Sequence, residues 1–159
     1  MLKRYLPLII VVSGIVACGK DKLNTKPSIE IKNINTTEVL PGQELIINLN
    51  YTDKEGDLGG GLLTYIRNRL NIKPIPDAPS NDKADTIIRP LPNFPKTTSG
   101  EIELRIPGLF MSEDPFENDT MFFKIFVTDA GGNVSDTLNT GTAVFAIRQL
   151  PPAEISRPP

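Results

Sequence analysis

The sequence predicts an all-β chain, an antiparallel β-sandwich of about seven strands around a single core. Three observations point there. From Glu44 to Thr52, Leu45, Ile47, Leu49 and Tyr51 alternate with Ile46, Asn48, Asn50 and Thr52, the period of a strand with one buried face. Gly100 to Ile106 repeats the pattern, with Ile102, Leu104 and Ile106 set between Glu101, Glu103 and Arg105. Fifteen prolines and twelve glycines in 159 residues punctuate the chain too often for long helices.

In chain order, residues 1–17 precede that domain and read as an export signal. Lys3 and Arg4 form a positive n-region, Leu6 to Val16 an apolar run, and Ile15-Val16-Ala17 places small or aliphatic residues directly before Cys18. A run of about a dozen apolar residues falls short of the roughly 20 that span a bilayer as a helix. Ile15 to Cys18 resembles the lipobox of bacterial lipoproteins at all four positions. That resemblance implies cleavage before Cys18, lipidation of its thiol and usually acylation of the freed amine, enough chains for stable anchoring. Residues 18–27 then form a polar tether, which reaches on the order of 30 Å when extended. Gly19 lacks the inner-membrane retention signal that Asp supplies in enterobacterial lipoproteins, so the resemblance implies the outer membrane, with the periplasmic or surface side left open.

The domain is expected over residues 28–149. Ser28 to Asn33 alternates as a first strand, and Thr37 to Leu40 is a short extended piece stopped by Pro41-Gly42. After Glu44 to Thr52, the run Asp53 to Gly61 is a loop. Leu62 to Ile72 carries apolar residues at helical spacing, but Tyr65, Ile66 and the neighbouring strands favour a strand. Residues 73–100 form a long proline-rich excursion with one strand, Asp85 to Arg89. Thr120 to Asp129 is nearly continuous in apolar residues and predicts a central strand buried on both faces. Ala130 to Asn133 makes a hairpin turn, and Val134 to Ile147 returns as a last strand broken at Asn139 to Gly141. Residues 150–159 are a proline-rich tail.

This strand count and the closing hairpin predict an immunoglobulin-like sandwich. The run Phe126 to Ser135 resembles the closing hairpin of bacterial Ig-like, PKD-like and cadherin-like domains, a strand followed by an Asp, a glycine turn and an Asn. The Cys, Trp and Cys marks of antibody domains are absent.

Composition narrows function further. Cys18 is the single cysteine and there is no histidine, so Ser-His-Asp triads, Cys-His dyads and His/Cys zinc sites are unavailable. With Lys3 and Arg4 removed from 17 basic residues against 19 acidic ones, the mature chain is mildly acidic and nucleic acid is not an expected partner. A glycosidase pair would have to come from Glu101, Glu103, Glu113, Asp114 or Glu117. The first two alternate outward on a strand and the others crowd one loop, so no enzyme is expected. The expectation is a lipid-anchored binding or accessory subunit of the cell envelope, engaging a protein complex or a glycan or peptide ligand; an adhesion or carbohydrate-binding module is the alternative.

Two kinds of site are expected besides Cys18. In an Ig-like sandwich the loop after Glu44–Thr52 and the turn after Thr120–Asp129 share one end, bringing Asp53, Glu55 and Asp57 towards Asp129. Carboxylates at i, i+2 and i+4 on a glycine-rich loop offer oxygens to a structural Ca²⁺, or else form an acidic, solvated turn. An EF-hand is excluded, since Leu58 and Thr64 stand where its glycine and closing glutamate belong. Finally, Asp85-Thr86-Ile87, Asp119-Thr120-Met121 and Asp136-Thr137-Leu138 resemble the O-glycosylation acceptor of the Bacteroidota, which implies glycans on Thr86, Thr120 or Thr137.

Overall fold

The computed structural model describes residues 26–40, 42–75, 84–114, 117–141 and 144–146. The signal segment, Cys18, most of the tether and the proline-rich tail lie outside the described residues. What is described is nearly all strand: β1 (Ser28–Ile34), β2 (Glu38–Val39), β3 (Glu44–Thr52), β4 (Leu62–Arg69), β5 (Ala84–Pro90), β6 (Ser99–Pro107), the single-turn α1 (Gly108–Met111), β7 (Asp119–Thr128), β8 (Leu138–Asn139) and β9 (Val144–Ala146). The small sheet runs β1-β3-β6. The large sheet runs β2-β9-β7-β4-β5, with β8 also on β7. With β1, β3 and β6 as strands A, B and E, and β4, β7 and β8–β9 as C, F and G, this is the order of an immunoglobulin-like sandwich. Every ladder is antiparallel except the two-residue β2–β9 pairing, which is parallel.

The alternating residues of β3, β6 and β7 meet between the sheets. Leu45, Ile47, Leu49, Ile102, Leu104, Ile106, Phe123, Ile125 and Val127 share one core with Tyr65, Met111, Met121 and Leu58. This interior burial is the main stabilising term for the fold.

The structure corrects three expectations. Strand β7 is not buried on both faces: Met121, Phe123, Ile125 and Val127 point inward, while Phe122 and Phe126 are half-buried on the outer face and Lys124 is exposed. Its apolar run reflects an apolar outer face rather than a covering layer. Strand β4 stops at Arg69, leaving Ile72 93% exposed. Its helix-like spacing has a physical cause, because Leu63, Tyr65, Arg67 and Arg69 turn inward and push Leu62 and Ile66 to the outer face. After β6 the chain makes the single turn α1. The last strand shrinks to a single bridge, Thr128 with Val134, then β8 and β9.

Candidate functional site

Ser28, Thr52, Leu62 and Thr128 all lie at one end of the sandwich, the end at which β1 begins and to which the expected tether would lead. At that end Asp53 follows β3 and is 1% exposed, although it is a carboxylate. It is held by its own loop: Oδ1 accepts the Glu55 N–H at 3.3 Å and Oδ2 the Asp57 N–H at 2.8 Å. Such side-chain-to-backbone bonding is why Asp serves in turns. Gly56, at φ +66°, closes the turn with its N–H on the Asp53 carbonyl. The loop then crosses to the large sheet beneath the end of β7, and a Cβ at Gly61 would lie 2.1 Å from the Thr128 carbonyl oxygen. Only glycine allows that approach.

The approach brings Asp57 to the β7 turn, where the Ala130 N–H donates to the Asp57 carbonyl at 3.0 Å. Asp129, 3% exposed, accepts the Asn133 N–H on Oδ1 at 2.7 Å and its side-chain amide on Oδ2 at 3.0 Å. One carboxylate oxygen each from Asp53, Asp57 and Asp129 lies within 4.8 Å of the others. Among the described residues none of the three has an ion pair with Lys or Arg. Oδ1 of Asp57 is buried with no hydrogen-bond partner. Glu55, expected in the same set, is exposed and stands outside it. Three carboxylate oxygens are hard ligands, of the kind that Ca²⁺ takes and a soft metal does not.

The opposite end also buries charge, in a network that the sequence reading missed. Arg69 donates through Nε to Asp119 at 2.6 Å, through Nη1 to the Lys73 carbonyl at 2.7 Å and through Nη2 to Glu117 at 3.2 Å, with Asp114 at 3.5 Å. Asp119 also accepts the backbone N–H groups of Glu113 and Asp114 on Oδ2, at 2.6 and 2.9 Å. Arg67 donates to the Phe110 carbonyl and to both Asp85 and Glu113, and its guanidinium carbon lies 4.4 Å from the Phe110 ring centroid. An open cleft of about 430 Å³ stands over it, lined by Arg67, Asp85, Phe110 and Glu113 among others. The one available signal was the pair of arginines two apart in a strand, which must share a face.

The network accounts for the candidate acids. Glu113, Asp114 and Glu117 pair with Arg67 or Arg69, while on the outer face of the small sheet Glu101 pairs with Lys32 and Glu103 with Arg105. The three tripeptides occupy unlike settings. Thr86 is exposed on β5, Thr120 is half-buried with its N–H on Asn71, and Thr137 is exposed. Cys18 falls outside the described residues.

No protein-family model and no curated protein matches the chain. Among solved structures, the chain is similar to wild-type OgpA from Akkermansia muciniphila, at 16% identity and a TM-score of 0.41, over 76% of this chain and 28% of that one. The catalytically inactive OgpA in complex with an O-glycopeptide, glycodrosocin, matches at 14% identity and a TM-score of 0.41, over the same shares. Spo0M, a sporulation control protein from Bacillus subtilis, matches at 9% identity and a TM-score of 0.35, over 76% of this chain and 49% of that one. The chain thus spans less than two thirds of each, and likeness at this level carries no functional argument.

Proposed function

We propose that the chain is a lipoprotein of the cell envelope, anchored through Cys18, whose immunoglobulin-like sandwich is a non-catalytic binding or accessory subunit. The observation that carries the non-catalytic reading is the disposition of the carboxylates. Asp85 and Glu113, the pair nearest to facing each other in a cleft, converge on one nitrogen of Arg67, an ion-pair clamp rather than two carboxyls flanking a substrate. The outer face of the large sheet supports docking of a partner protein: Leu62, Ile66, Ile88, Phe122 and Phe126 project there, and Lys124 is the one charge on the outward positions of β4, β5 and β7. A glycan or peptide ligand is the alternative occupant.

Within that reading, Ca²⁺ held by Asp53, Asp57 and Asp129 fastens the tether-side loops. It would satisfy the Asp57 oxygen that has no partner and cancel the repulsion of three close carboxylates. Three experiments test the proposal. Cys18→Ala should leave an uncleaved precursor, and normal processing of that variant refutes the anchor. Calcium added to chelator-treated protein should raise the melting temperature more than magnesium does, and equal shifts refute the site. Glycans on Thr86, Thr120 or Thr137 would add mass beyond peptide plus lipid in the intact native protein; no added mass disposes of them.

A further inference from the structure

We infer that the chain associates with a second copy of itself, edge to edge, through β5. Among the described residues, strand β5 is the outer edge of the large sheet and pairs only with β4. The register of that ladder decides which backbone groups remain open. The Leu91 N–H donates to the Gly61 carbonyl, and the same antiparallel register runs on through Arg89 with Leu63, Ile87 with Tyr65 and Asp85 with Arg67. Hydrogen-bonded positions alternate along a strand, so the odd-numbered residues turn their N–H and C=O to β4. The even ones, Ala84, Thr86, Ile88 and Pro90, turn theirs away from the sheet.

An exposed edge of this kind is a template for another strand. The long edges of the small sheet, β1 and β6, both carry charge: Glu30 and Lys32 lie on β1, and Glu101, Glu103 and Arg105 of β6 form ion pairs with Lys32 and Glu44 or with each other. On the β5 edge Asp85 shares Arg67 with Glu113, which leaves those three side chains one negative charge in excess, and Arg89 is the strand's other charge. Ala84, Thr86, Ile88 and Pro90 are its exposed outer-face residues, Ile88 being 58% exposed, and only Pro90 lacks a donor, at the very end of the strand.

Charge selects the occupant and the register. Two antiparallel copies of β5 can join through their even residues in only a few ways. One of them, centred on Ile87, sets Asp85 of each copy opposite Arg89 of the other, at a non-hydrogen-bonded position where side chains come closest. Arg89 makes no ion pair among the described residues, so its charge is available to a second copy. In the same register Thr86 faces Ile88 of the second copy as a hydrogen-bonded pair, and the Ala84 N–H faces the Pro90 carbonyl, where a missing donor does no harm. Shifting by one pair in either direction puts Asp85 or Arg89 opposite Ile87 and loses the match. The arrangement is isologous, as a two-fold dimer requires, and it joins the apolar outer faces of the two large sheets into one surface.

The test uses the full chain in detergent with Cys18→Ser, so that introduced thiols are the only ones. Cα atoms of a hydrogen-bonded antiparallel pair lie about 5.5 Å apart, within disulfide range. A mixture of Thr86→Cys and Ile88→Cys chains should therefore form disulfide-linked dimers under mild oxidation, and either variant alone should form few. Sedimentation equilibrium should show a monomer–dimer equilibrium whose dissociation constant rises at least tenfold in Arg89→Glu, a substitution at an exposed side chain. A chain that stays monomeric at all concentrations, equal cross-linking in either variant alone, or no effect of Arg89→Glu overturns the proposal.

Discussion

The two ends of the sandwich bury carboxylates in opposite ways. At the end away from the tether, Asp114, Asp119, Glu113 and Glu117 face the guanidinium groups of Arg67 and Arg69, which β4 presents on its inner face. At the tether end, Asp53 and Asp129 are as deeply buried but meet only N–H groups, and Asp57 joins them with an oxygen that has no partner. A buried charge is tolerable when a counter-charge and enough donors surround it. One end carries its counter-charge in the chain, and at the other the proposed Ca²⁺ would supply it.

The sharpest way to break this comparison is to remove a counter-charge. Arg69→Ala strips the buried Asp119 of its partner and should cost about 3–5 kcal/mol, the usual scale for breaking one side of a buried pair. Urea unfolding would measure it, and a loss below 1 kcal/mol would mean that the network is solvated. Ile47→Ala calibrates the scale with a core residue that is 0% exposed and should cost about 2–5 kcal/mol. At the tether end, Gly61→Ala should cost about 1–3 kcal/mol by forcing the loop from the Thr128 carbonyl, read as a lower midpoint in the same titration. Asp57→Asn has a smaller effect, and its sign depends on calcium. In chelator the variant should match or slightly exceed the parent in stability because it relieves repulsion. At free calcium about 100 times the dissociation constant it should lack a gain of about 2.7 kcal/mol that the parent shows. Destabilisation by Asp57→Asn in chelator would erase the contrast between the two ends.

Legibility followed the range of the interaction. Strand β3 was readable to its last residue, and β6 nearly so, because a half-buried strand writes its alternation into consecutive residues. The acidic end was readable at one remove: strand order places the loop after β3 beside the turn after β7, which brings Asp53, Asp57 and Asp129 together. Glu55 was misplaced because i, i+2 and i+4 spacing does not specify which side chains a turn directs inward. In this turn the Glu55 N–H goes to Asp53 and its carboxylate faces solvent.

By itself, then, the sequence determined the all-β class, the alternating core, the turn positions and the residues that could ligate a cation, since each is a matter of local period or of residue chemistry. Tertiary structure alone decided which face of β4 turns inward and which acids meet Arg67 and Arg69. It also decided that no layer of the described residues covers the outer face of β7, and which backbone groups β5 turns away from β4. Those depend on partners distant in sequence, such as Arg69 with Asp119 fifty positions away, and on a sheet register that no single strand encodes.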